Sequence, residues 1–440
     1  MRRQLAVALA LGAVAAVLSA EDVQVNISGD IQTLWAVAAP WTDRNDDGRL
    51  TVGNTAATAK VDAYCGHGSA YAEARASYDA LEREVDFSLR ELWIDYSDSF
   101  WGVRIGRQKA AWGKADGIDI SNVLCPKDMS SAAAVFSDDS RLAVDALRLS
   151  FNSTSLTADA WWIPFFTPTK LPLDEENSLR KYVVPEQVDL SLPGGAVYSL
   201  PLAIGDFDEP EAALKNGEYG MKLSAYFSAC DISLYAFYGW DDMPLLSYAS
   251  TYTVQTAPMP SAINVTGSYK RMGMIAADAA VPLGETVLRL EAAFFPQRHF
   301  QKSAAAMEGA SYSSSEKHEQ LSALAGIDWM PLGWTITAQY YCDCIFGGTD
   351  KLERDYAYVH GATLSIAKSF FNDTLEASFS GVIGFNDFDC LLNPSVSYSL
   401  TDQIKISGGA YIFTRGPDKD GSYGAYRDLS SIYIKAVFSF

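Results

Sequence analysis

Residues 43–54 read DRNDDGRLTVGN and hold the first grouping whose types and spacing could do chemistry. Asp43, Asn45 and Asp47 alternate, Gly48 follows, and Leu50 stands at the eighth position. This is the first half of an oxygen-ligand calcium loop, in which glycine makes the sharp turn. The twelfth position, where a bidentate carboxylate closes such a loop, is Asn54. Two readings stay open: a partial Ca²⁺ site at Asp43, Asn45 and Asp47, or a solvated hairpin loop built of turn formers.

Catalysis finds little support. The histidines are His67, His299, His318 and His360, and none has a second histidine at metal-ligand spacing. No G-x-S-x-G occurs. His360 alone falls on an apparent strand, the one base available to an outward Ser–His pair. Cys65, Cys125, Cys230, Cys342, Cys344 and Cys390 match no zinc spacing. We therefore expect no enzyme, and no cofactor beyond the calcium considered above.

A third grouping emerges from strand parity. Lys60, Asp62, Glu73, Arg75, Arg104, Asp159, Lys222, Arg289, Glu291, Asp328, Glu376, Lys405 and Lys435 fall on inward faces. Both signs are present without a clear excess. Such an interior either conducts water and small solutes or fills itself with paired charges. Arg75, Arg104, Asp159, Lys222, Arg289, Glu291, Asp328 and Lys405 are the pore-lining candidates.

The fourth grouping is residues 105–130, IGRQKAAWGKADGIDISNVLCPKDMS. It begins as a strand and runs into a long connection rich in Gly, Asp, Asn and Pro. Ile118, Ile120, Val123 and Leu124 make it too apolar to stay in water, so it is expected to fold inward. As a constriction loop it would wedge Trp112 and Leu124 against the wall. Lys109, Lys114 and Asp116 would then meet the solute, with Asp128 closing the segment. As a packed loop it would only brace the wall.

The elements that must position these residues are strands. Residues 1–20, MRRQLAVALALGAVAAVLSA, have a basic start, an apolar run over 5–18 and small residues before Glu21. They read as a secretory signal peptide, too short to span a bilayer as a helix. The 54 acidic residues outnumber the 34 basic ones, for a net charge of −20, which excludes nucleic acid as a partner. Apolar residues make up 48% of the chain, which excludes disorder.

From residue 21 onward period two dominates. Val23, Val25, Ile27 and Ile31 share one face; so do Ile232, Leu234, Ala236, Tyr238 and Trp240, and Leu288, Leu290, Ala292 and Phe294. Connections near 66–68, 97–100, 151–154, 228–231, 281–285, 330–333, 369–373 and 400–403 are short. They alternate with 37–56, 79–86, 110–139, 164–216, 241–266, 297–317, 344–355, 386–389 and 414–427, which are mostly longer. The longest, 164–216, is acidic and would cap the mouth. The pattern predicts an all-β fold: a transmembrane antiparallel up-and-down β-barrel of about 18 strands over 21–440, with inward-folded and capping extracellular loops.

Residues 430–440, SSIYIKAVFSF, end on Phe440 and look like the terminal strand that a barrel-assembly machinery reads. Gly106, Arg107, Gln108, Trp112, Gly113, Asp116, Gly117, Pro126 and Asp128 carry a G-R-Q, W-G-x-x-D-G, N-x-L-x-P-x-D pattern. It resembles a segment of the alginate-export-related, largely uncharacterised family of bacterial outer-membrane barrels. The residues around it, ELWIDY at 91–96 and the strand at 101–110, look similar to that family's context. The resemblance implies an outer-membrane porin.

The expected location is thus the cell outer membrane, with outer-membrane lipid, the assembly machinery and a small solute as partners. The expected function is a channel for passive or selective passage of small hydrophilic solutes. A fatty-acid-type barrel for hydrophobic solutes, and an adhesin or structural barrel with a closed lumen, are the alternatives.

Overall fold

Side chains at period two separate a strand into two faces, and closing the sheet gives each face one solvent. The computed structural model describes residues 23–39, 48–136, 140–174, 177, 179–184, 187–191, 197–251, 260–303 and 314–440. Residues 1–20, read as a signal peptide, and Asp43, Asn45 and Asp47 lie outside the described residues.

The chain opens with β1 (Gln24–Ala38), β2 (Leu50–Cys65), β3 (Gly68–Asp79), β4 (Glu84–Ser97), β5 (Trp101–Gln108), β6 (Val144–Asn152) and β7 (Leu156–Ile163). Next come β8 (Gln187–Ser191), β9 (Val197–Asp208), β10 (Glu218–Tyr226), β11 (Asp231–Trp240), β12 (Leu245–Thr251) and β13 (Ala262–Ser268). Then follow β14 (Arg271–Leu283), β15 (Thr286–Gln301), β16 (Ser315–Trp329), β17 (Trp334–Ile345) and β18 (Tyr358–Phe370). The last are β19 (Leu375–Gly384), β20 (Asp389–Ser399), β21 (Ile404–Thr414) and β22 (Ser431–Ser439).

Among the described residues, 18 of these strands form one closed antiparallel barrel. β1 pairs with β22 as well as β2, and Gly29 and Phe440 exchange backbone hydrogen bonds of 2.9 and 3.0 Å across the seam. Two-to-four-residue turns close one end. Both β1 and β22 have their free ends there, so every long connection lies at the other end.

Two long connections carry secondary structure that alternation did not reveal. β8 and β9 lie within the segment read as an acidic capping loop, and β12 and β13 within 241–270. The four make a separate sheet in the order β12-β13-β9-β8, with β9 and β13 parallel. A small core of Val184, Leu202 and Val265 holds it together. Gln301 at the end of β15 ties it to the barrel: its Oε1 accepts Leu246 N–H at 2.7 Å and its Nε2 donates to Leu246 O at 3.0 Å.

The outward face of the barrel is apolar and bare. Ile27, Phe87, Ile105 and Ile275 are 59–79% exposed. On β15 the alternation is direct: Leu288 and Leu290 are exposed with half-buried Arg289 between them, and Glu291, Ala293 and Phe295 beyond are buried. Aromatic residues band both ends of this face, among them Trp334 and Phe371 at the short turns, Tyr219 and Tyr238 at the other.

Candidate functional site

The connection between β5 and β6 turns into the barrel. Gln108, fully buried, sets its start by donating to Ala146 O at 2.9 Å. Ala110 N–H then meets Cys125 Sγ at 3.1 Å, so residues 110–125 form a closed lobe. Ile120, Leu124 and Trp112 of the lobe pack with Trp161, Tyr235, Phe237, Met274 and Phe295 on inward faces of β7, β11, β14 and β15.

Glu291 of β15 is the lobe's anchor. Its Oε2 accepts the N–H groups of Lys114 at 2.6 Å and Ala115 at 2.9 Å. Its Oε1 accepts the N–H of Ser121 at 2.9 Å and that residue's hydroxyl at 2.6 Å. Charge-assisted bonds of this kind contribute on the order of 1.5–3 kcal/mol each. Gly113 is required beside it: φ is +88°, and a Cβ there would stand 2.3 Å from Glu291 Oε1.

Two further grips lock the lobe. Gln339 of β17 takes Asp116 by both backbone groups, accepting its N–H at 3.0 Å and donating to its carbonyl at 2.7 Å. Arg289 donates to Lys114 O at 3.1 Å and pairs with Asp328, which also accepts Thr337 Oγ1 at 2.8 Å. On β10, Gly220 leaves the space that Trp112 and Leu124 occupy, each 3.0 Å from where its Cβ would be. The Trp112 ring lies 5.1 Å from that of Tyr235.

Beyond the lobe the connection crosses to the opposite wall. A short helix, Ala132–Val135, and Phe136 pack with Ala36, Val52, Tyr411 and Tyr433 on β1, β2, β21 and β22. Phe136 stacks on Tyr411 at 4.0 Å.

The residues expected to act together divide. Trp112 and Leu124 are buried in the lobe; Lys114 and Asp116 are held by their backbones, and the Asp116 side chain is exposed. Asp128 is not with them. Its carboxylate caps a local turn, accepting Ser130 N–H at 3.0 Å and Ser130 Oγ at 2.5 Å, where the connection bridges Lys170. Glu291 and Asp328, read as lining open space, are 3% and 4% exposed and lie under the lobe or in an ion pair.

The remaining inward charges spread around the wall. Arg104 pairs with Asp95 at 3.0 Å and lies 3.7 Å from the Trp93 ring. Asp159 pairs with Arg148 at 2.8 Å, and Arg148 lies over Trp161. Lys222 is 5.5 Å from the Tyr235 ring, and Lys405 is 3.8 Å from Glu376. Arg75 stands between Thr58 on β2 and Ser88 on β4. Sequence reasoning passed over Arg148, Ser121 and Gln339. The alternation of β6 and β17 marks Arg148 and Gln339 as inward; nothing local marks Ser121.

His360 faces outward with Tyr340 and Tyr358, and the Tyr340 hydroxyl is 3.1 Å from His360 Nδ1. No serine hydroxyl contacts His360 among the described residues.

Residues 43–411 match the profile of a family described as Protein of unknown function (DUF1302). No curated protein matches the sequence. Among solved structures the chain is similar to Acinetobacter baumannii OccAB1, with a TM-score of 0.50 at 10% identity over 96% of each chain. A. baumannii OccAB4 gives 0.49 at 8% identity over 95% of this chain and 97% of that one. The outer membrane channel DcaP of A. baumannii gives 0.46 at 10% identity over the same shares. At such identity the likeness to OccAB1 is one of fold.

Proposed function

The chain belongs to the DUF1302 family, whose function is unknown, and from its own geometry we propose that it is an outer-membrane channel for small hydrophilic solutes. One observation carries this reading: the barrel is inside out. Its outer face carries exposed apolar side chains on strand after strand, Ile27, Ile105, Ile275 and Leu290 among them, while its inner face holds the paired charges Arg104–Asp95, Arg148–Asp159 and Arg289–Asp328. An aqueous lumen inside and hydrocarbon outside satisfy both faces at once. Residues 1–20 would export the chain, and residues 21–440 would form its single domain. The strand ending at Phe440 would be read by the assembly machinery.

A barrel of this strand number leaves a wide aqueous channel unless something enters it. In this reading the 110–125 lobe is the constriction. Lys114 and Asp116 flank the passage, and Arg75, Arg104, Asp159, Lys222 and Lys405 line it. The likeness of 105–130 to alginate-export-related barrels supports a shared way of building the lobe. The paired charges favour weak charge selectivity, so no strongly charged polymer is proposed as the solute.

The test is single-channel conductance in a planar bilayer. The protein should conduct, and deleting residues 114–127 should raise its conductance several-fold while the barrel still assembles. A barrel that inserts without conducting overturns the channel. Unchanged conductance in the folded deletion variant takes the lobe out of the pore.

A further inference from the structure

The strongest unexplained feature lies on the outside of the barrel. At the long-connection end of β10, β11 and β14, Arg271 faces outward, in register with Trp240. Its guanidinium lies 4.2 Å from the Trp240 ring centroid and 5.3 Å from that of Tyr238. Nη1 donates to Gly217 O at 2.9 Å and Nη2 to Lys215 O at 3.4 Å. Trp240 is itself fixed, its Nε1 donating to Asn216 O at 2.9 Å. The guanidinium is therefore held between carbonyls and rings, and among the described residues no partner takes its Nε–H.

No carboxylate pairs with Arg271 at ion-pair distance among the described residues. Glu218, across the sheet, faces inward, and its Oε1 accepts Trp240 N–H at 2.8 Å. Lys215 stands beside Arg271 and, among the described residues, pairs with the exposed Glu211 at 3.1 Å. Arg271 acts electrostatically on the Glu218 carboxylate through the sheet, yet among the described residues no carboxylate stands on the outward face with it.

The surface below it is shaped. Trp162, Tyr219 and Tyr238 form an outward row across β7, β10 and β11, and the row continues on β14 at Gly273. A Cβ on Gly273 would meet nothing nearer than 3.9 Å, so the row ends in a notch. Below the notch Ile275 is 60% exposed. Down one face of β14 the order is cation, gap, apolar side chain. That order matches an amphiphile with an anionic head and an acyl chain. A preorganised guanidinium favours phosphate, which it can bind through two parallel donors.

We propose that Arg271, Lys215 and the Gly273 notch bind the phosphorylated head group and first acyl chain of lipid A in the outer leaflet. The proposal rests on the outer-membrane reading above, because the end carrying the long connections must face outward. It does not require the barrel to conduct.

The test is binding of diphosphoryl lipid A to the purified, detergent-solubilised protein, followed by native mass spectrometry. Dephosphorylated lipid A, phosphatidylglycerol and inorganic phosphate serve as competitors. Arg271→Ala should weaken lipid A binding on the order of tenfold, and Arg271→Lys should fall between. Gly273→Leu keeps the cation, fills the notch and should also weaken binding. Lys368→Ala, which removes a cation over Trp334 at the short-turn rim, should leave it unchanged. Each variant's barrel is checked by its heat-modifiable electrophoretic shift. Equal binding of dephosphorylated lipid A, or full binding by folded Arg271→Ala and Gly273→Leu, overturns the proposal. Equal competition by inorganic phosphate or phosphatidylglycerol overturns it as well, the first as an ion site and the second as general anionic-lipid affinity. Conductance measured on the same preparations reports separately on the channel.

Discussion

Ser121 places both of its donors, N–H at 2.9 Å and hydroxyl at 2.6 Å, on the single oxygen Oε1 of Glu291, a residue 170 positions later in the chain. The other oxygen serves Lys114 and Ala115. A carboxylate is the one side chain that accepts from all four. Glu291→Gln keeps the shape but turns an NH₂ toward at least one of those donors. It should lower stability by about 2–4 kcal/mol, read from the denaturant midpoint. A midpoint equal to wild type would show that the lobe holds without this anchor.

Gly113 and Gly117 offer a paired comparison, since both have positive φ, +88° and +73°. Around Gly117 a Cβ meets nothing within 4 Å, whereas at Gly113 it meets the Glu291 carboxylate. Gly117→Ala should cost only backbone strain, about 1 kcal/mol. Gly113→Ala should cost at least about 2 kcal/mol more, because it also displaces the anchor. Equal losses in the two variants would mean that the close approach to Glu291 contributes nothing.

The barrel was legible in the sequence because the outward face of its strands is mainly apolar, as in Leu288 and Leu290 against Arg289 and Glu291. The two connection classes were legible for the same reason: turns interrupt an otherwise regular pattern. The mouth sheet was not. β9 contains Pro201, lies in an acidic connection, and pairs in parallel with β13, which comes after two intervening barrel strands. The site was legible in part. Parity tells that Glu291 points inward, but not whether water or a folded-back connection covers it. Asp128 shows the reverse limit: a polar residue in the right segment spends its carboxylate on the neighbouring Ser130.

Calcium at 43–54 is open to a direct measurement. Asn54 is fixed within β2, opposite Leu34 and Asp79, so the closing position of a calcium loop is committed to strand pairing. The candidate ligands are then Asp43, Asn45 and Asp47. If these bind Ca²⁺, a chelator should speed proteolysis in 43–49 and nowhere else. Cleavage at the same rate with and without chelator removes the metal.

Arg104 and Arg148 stand directly opposite each other on β5 and β6, a like-charge pair that costs energy unless anions stand near. Asp95 and Asp159 supply one each. Replacing both arginines by glutamine leaves two carboxylates uncompensated on one stretch of wall. Cation selectivity, read as the reversal potential in a KCl gradient, should rise roughly twofold or more. An unshifted potential would place the ion path away from β5 and β6.

Cys125 can report the lobe's state without any bilayer. It is 2% exposed, and burial pushes its thiol from 9.0 up to about 11. The thiolate is the reactive form, so at pH 8 the buried thiol should label slowly with a maleimide. Opening the lobe exposes the sulfur to water and returns its pKa toward the ordinary value. The thiolate fraction then rises by up to about a hundredfold. Glu291→Ala removes the anchor, so Cys125 should label far faster in that variant, with the adduct located by mass spectrometry. Cys65 and Cys230, beside short turns at the opposite end, should label at the wild-type rate. Faster labelling of all three would indicate a loosened barrel. Unchanged labelling of Cys125 would show that Gln339, Arg289 and the apolar packing hold the lobe by themselves.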